Sequence, residues 1–103
     1  MIEFSDVVVL EEAADDMNVG RAFYERQETG VGDYFWDCIL SDIESLIIYA
    51  GVHQQYFDSY RMLSKRFPYA IYYEIRTTLV YVTAVLPLRV DPAKNKAKMQ
   101  DRH

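Results

Sequence analysis

The chain has 103 residues, half of them apolar and 26% charged, with a formal net charge of −5. That is enough apolar material for one core and one domain without metal or disulfide staples; the single cysteine, Cys38, excludes an internal disulfide, and with no second thiol or clustered histidine beside it a zinc site is excluded too. No stretch approaches the roughly 20 apolar residues of a membrane span, and the N-terminus lacks the basic-then-apolar order of a secretory signal, so a cytoplasmic protein is expected.

The β-branched run VVVL at residues 7–10 predicts a first strand, with Ile2 and Phe4 as a candidate extension. Residues 11–27, EEAADDMNVGRAFYERQ, change to helical character. Ala13, Met17, Phe23 and Tyr24 fit one stripe, and the acidic residues crowd the first two turns, where the helix dipole favours them. Gly20 inside this helix costs roughly 1 kcal/mol relative to Ala, which points to a close approach by another element.

ETGVGD at residues 28–33 holds two glycines, but it follows a helix and lacks the Lys-Ser/Thr of a phosphate loop. It reads as a helix-to-helix turn, with Gly30 ending the first helix and Asp33 opening the second. In residues 34–51, Phe35, Ile39, Ile43, Leu46, Ile47 and Ala50 fall at helical spacing, Cys38 reads as a buried helix residue, and Gly51 is the stop. The two helices form an antiparallel hairpin lying on a sheet.

The pattern then shortens to period two. Phe67, Tyr69, Ile71, Tyr73 and Ile75 alternate with their neighbours in a half-buried strand. Residues 56–63 read as the strand before it and 79–86 as the strand after, joined through a tight RTT turn. The last strand is apolar on both faces and therefore central, and Pro87 ends it. The fold class is α+β: an N-terminal strand, an antiparallel helical hairpin and a three-stranded antiparallel β-meander in one domain, residues 1–92. The basic tail 93–103 has little to bury and is expected to be mobile.

Charge is polarised along the chain. Residues 1–60 hold 13 Asp/Glu against 2 Arg, and residues 61–103 hold 9 Lys/Arg against 3 Asp/Glu. Either the acidic helices carry a solvated face, or the basic half addresses an acidic partner. Arg61, alternating with Tyr60 and Met62, belongs on the face opposite to theirs; it is a candidate functional residue or a cross-strand partner of Glu74. Lys65 and Arg66 lie in the turn before FPY, and Arg89 follows the central strand at the mouth of a groove. The nine tyrosines suit core and sheet surface better than base stacking, and His53 is assigned no role.

Taken in order, AADDMNVGRAFYERQETGVGDYF, DIESLIIYAG, YRMLSKRFPYAIYY and AVLPLRVDP resemble the RelE/ParE superfamily, the toxins of type II toxin–antitoxin pairs, with chains described as plasmid-stabilisation proteins nearest. The resemblance covers residues 7–92 and implies a growth-inhibiting toxin without cofactor or metal, neutralised by a cognate antitoxin protein. It implies one of two activities. ParE-like toxins bind and inhibit a protein target such as DNA gyrase, whereas RelE-like toxins are ribosome-dependent, metal-independent mRNA endoribonucleases.

The ribonuclease branch uses a Lys-rich second strand, an arginine on the next strand, another after the last strand and often a C-terminal Tyr or His. In this chain Arg61 stands where a lysine would be, Leu63 follows two residues later, and Ala70 takes the next arginine's position. Pro87 and Val90 replace a polar residue and a second arginine, leaving Arg89, and His103 is the final residue. If the chain is a ribonuclease, Arg61, Lys65, Arg66 and Arg89 are the catalytic candidates. Such sets lose activity non-additively as members go missing, so the ParE-like activity is the leading expectation. Arg61, Arg66 and Arg89 are then the candidates for target or antitoxin binding. A degenerate relative that retains only antitoxin binding or dimerisation is the further alternative, and a bare sheet face makes a homodimer a candidate assembly.

Overall fold

A computed structural model describes residues 3–102, so the readings placed on Ile2 and His103 lie outside the described residues. The valine run forms β1 (Asp6–Val9), and α1 (Glu11–Gln27) follows after Leu10. Phe4 lies outside the strand and packs on the core. Gly30, at φ 93°, turns the chain into α2 (Val31–Glu44), which begins three residues earlier than its apolar pattern predicts. The reason lies on the neighbouring helix: the Glu25 carboxylate accepts the Gly30 and Gly32 N–H groups at 3.0–3.1 Å, satisfying donors that α2 cannot pair internally. Asp33 sits in the first turn of α2 and pairs with Arg21. The helix breaks at Ser45, whose hydroxyl donates to the Asp42 carbonyl at 2.6 Å, and resumes as α3 (Leu46–Tyr49).

Four further strands follow: β2 (Gln54–Tyr56), β3 (Ser59–Leu63), β4 (Tyr69–Arg76) and β5 (Leu79–Pro87). The sheet order is β1-β5-β4-β3-β2, with β1 parallel to β5 and all other pairs antiparallel. The expected three-stranded meander therefore has a fourth strand. Residues 56–63 are not one strand, because Phe57 and Asp58 adopt φ values of 55° and 63° and fold the segment into a two-residue hairpin. β5 is central, as its two apolar faces require, with β1 on one side and β4 on the other. Thr83 is the extra residue where the β4–β5 register shifts.

The helical hairpin covers one face of the sheet. Ala13, Met17, Phe35, Ile39, Ile43 and Leu46 pack there against side chains of β3, β4 and β5. The expectation of a bare opposite face is corrected, and the tail expected to be mobile is helical over most of its described residues. Pro92–Asp101 form a helix, α4, that sets Met99, at 0% exposure, on Ala70, Tyr72, Ala84 and Leu86. Asp91 caps this helix by accepting the Ala93 N–H at 2.9 Å, and Pro92 occupies its first turn. Asn95, one turn before Met99, donates to the Pro87 carbonyl at 2.9 Å.

Gly20 is where α1 meets α2 and the sheet. A Cβ there would lie 2.6 Å from Cζ of Phe35, and that ring is wedged among Tyr24, Phe67 and Tyr69 at centroid distances of 4.8–5.1 Å. Helix propensity alone would make Gly20→Ala stabilising by about 1 kcal/mol, but the trapped ring reverses the sign. Urea denaturation should show Gly20→Ala destabilised by about 1–3 kcal/mol.

The Tyr73 hydroxyl, beneath the α3–β2 loop, accepts the Gly51 N–H at 2.9 Å and lies 2.6 Å from Nδ1 of His53. The direction of the hydrogen bond to Nδ1 follows the imidazole tautomer. Burial holds the His53 pKa below its ordinary value of 6.5. With the folded value depressed, the unfolded state takes up the proton first; stability is complete above the unfolded value and falls as pH drops toward the folded one. Thermal melts between about pH 7 and pH 5 should show a steeper loss of Tm in the wild type than in His53→Gln.

Candidate functional site

Strand alternation sends Tyr60 and Met62 into the core under the helical hairpin and Arg61 to the other face, opposite Tyr72. The Arg61 guanidinium lies 4.0 Å from the Tyr56 ring centroid, a cation–π contact. It does not pair with Glu74, which meets Arg76 instead. Around it is a small recess of about 70 Å³ shared with Phe57, Tyr72 and the start of α4.

Lys65 and Arg66 sit in the β3–β4 turn on the α2 side. That turn is fixed by Asp42, a carboxylate only 6% exposed, which accepts from the Ser64 hydroxyl at 2.7 Å and the Lys65 N–H at 3.3 Å. Arg66 donates to the Tyr34 hydroxyl at 3.3 Å. The two cations line a recess of about 280 Å³ with Tyr34, Asp37, Ser41 and Cys38, which is half-buried rather than buried as expected.

Arg89 lies on the α1 side. It donates through both terminal nitrogens to the Tyr69 hydroxyl at 3.3 Å and covers the Phe23 ring at 4.1 Å. Tyr24 is part of the same cluster, and its hydroxyl pKa is raised by burial and by Tyr69, with Arg89 opposing them.

Of the four sequence candidates, the structure thus brings together only Lys65 and Arg66. Arg61 lies on the face that α4 covers, whereas Arg89 lies past the end of β5 against α1, and their recesses share Val90 alone. Ala70, which occupies an arginine position of the ribonucleases, is 0% exposed beneath α4. Among the described residues no three His, Cys, Asp or Glu side chains cluster as metal ligands, and no helix is long and apolar enough to cross a membrane.

Sequence reasoning missed a further polar network. Asp16 on α1 accepts the Val85 N–H at 2.9 Å and pairs with Arg102 at 2.6 and 2.8 Å. Arg102 also reaches Glu12 at 3.1 Å and donates to the Thr83 carbonyl at 3.1 Å. Its pKa is raised first by the Asp16 hydrogen bonds. The only signal in the chain was the Asp91-Pro92 pair, a helix cap followed by a first-turn proline.

No protein-family model and no curated protein matches the sequence. Among solved structures, the chain is similar to one described as "Chromosomal ParDE TA system from P. aeruginosa", with a TM-score of 0.75 and 12% identity over 84% of this chain and 98% of that one. At that identity the likeness establishes the fold. The shared fold is the strand, helical hairpin and antiparallel sheet that the order of elements in the sequence implied.

Arg102→Met should release α4 without unfolding the hairpin core. Hydrogen exchange is expected to show lost protection in residues 93–101 with retained protection in α2 and β4. Overall stability should fall by about 1.5–3 kcal/mol, the range for hydrogen bonds to charged groups.

Proposed function

We propose that the chain is the toxin component of a two-protein toxin–antitoxin pair, working in the cytoplasm by binding a protein target and held inactive by a cognate antitoxin. The observation that carries this reading is the fold likeness, over 84% of this chain and 98% of that one, to a ParDE system chain. Within it, the ParE-like mode is favoured over RNA cleavage because Arg61, the Lys65–Arg66 pair and Arg89 occupy three separate recesses. A binding surface tolerates such dispersal, while an active site does not. DNA gyrase is the target suggested by the family resemblance, with Arg61, Arg66 and Arg89 as candidate contact residues.

Induced expression in a bacterial host should arrest growth and change plasmid supercoiling before translation declines. Arg61→Ala or Arg89→Ala should weaken the arrest. Early loss of translation with cleaved messages would overturn the ParE-like mode in favour of a ribonuclease. Unimpeded growth would overturn toxicity altogether and leave a chain that retains only partner binding.

A further inference from the structure

Between α1, the end of β5 and α4 runs a recess of about 260 Å³. Val19, Val85 and Val90 supply apolar wall, and Val19 is 70% exposed in the middle of a helix. Arg89 and Lys98 also line it. Among the described residues neither takes part in an ion pair. The one carboxylate lining the recess, Asp16, is already engaged by Arg102 and the Val85 N–H. Two cations are therefore left without a counter-charge beside exposed aliphatic surface.

Arg89 is also held in place before any partner arrives. Tyr69 and the Phe23 ring fix its guanidinium plane, yet they use only part of its donor fork. A guanidinium oriented in this way loses little conformational freedom when it pairs with a carboxylate.

We propose that this cleft receives an acidic, apolar peptide segment of the partner protein, with carboxylates meeting Arg89 and Lys98 and aliphatic side chains covering Val19 and Val90. Naming that partner an antitoxin rests on the toxin–antitoxin reading; the chemistry of the cleft does not. A nucleic acid fits less well, because the exposed wall is aliphatic at Val19 and Val90 and the one aromatic residue lining the recess, Tyr69, is already engaged by Arg89.

The test is to pan a random-peptide phage library on the immobilised full-length chain and to measure the selected peptides by fluorescence anisotropy. The expected peptides carry Asp or Glu beside Leu, Ile or Val. They should bind the wild type at least about tenfold more tightly than the Arg89→Gln/Lys98→Gln double variant, with affinity falling as salt rises. Arg76→Gln, which removes a cation at the other end of β4, should bind as the wild type does, and single-stranded RNA should not compete. Circular dichroism of each variant checks that it folds. Selected peptides without acidic residues, equal binding to the double variant, or displacement by RNA would each overturn the cleft assignment. Acidic-peptide binding in a chain that does not arrest growth would sink the toxin reading alone, whereas arrest without such binding would sink the cleft alone.

Discussion

Asp16 accepts the Val85 N–H with the same carboxylate oxygen that pairs with Arg102, so one side chain on α1 holds both an unpaired stretch of β5 and the end of α4. The need for it arises from strand lengths. β1 pairs with β5 only as far as Val82, and beyond that β5 would present bare backbone groups along its edge. The register shift at Thr83 coincides with this place, and Arg102 takes up the Thr83 carbonyl. The two charged side chains thus do for the edge what a longer β1 would have done, and in doing so they fix α4 across the second face of the sheet.

That placement governs the surface chemistry. With α4 seated, Ala70, Tyr72, Ala84 and Leu86 become a second small core rather than an open platform. Arg61 is left at the margin of that core, stacked on Tyr56, and cannot join Arg89, which lies beyond the sheet among the aromatic side chains of α1. The polarity of charge along the sequence is also partly cancelled in space, because the acidic first turns of α1 meet Arg102 from the basic half. The cations left unpaired in ions, Arg89 and Lys98 among them, define what the molecule offers a partner.

The main core depends on a different economy of space. Gly20 allows the Phe35 ring to lie against the α1 backbone, and Tyr24, Phe67 and Tyr69 close around that ring. Tyr69 serves this cluster with its ring and holds Arg89 with its hydroxyl, so aromatic packing and the most constrained surface cation share one residue. Large aromatic groups confined on several sides have few alternative rotamers, and this makes the position of Arg89 a property of the core.

Much of the architecture was legible from periodicity. The limits of α1 match its pattern, and β5 is interior because both its faces are apolar; of the stripe Phe35, Ile39, Ile43, Leu46, Ile47 and Ala50 the first four are buried as their spacing requires, while Ile47, beyond the break at Ser45, is exposed. These features follow from local rules of one element facing one core, which a linear sequence carries directly. The Phe57–Asp58 turn was hidden because a positive φ without glycine leaves little compositional trace, and α4 because its polar sequence buries only Asn95 and Met99. The sequence by itself determined the element order and which residues point inward. Only the tertiary structure decided that Arg61 and Arg89 lie apart and that Asp16 meets Arg102, because contacts across 86 residues of chain depend on how whole elements dock, and no spacing along the chain encodes that.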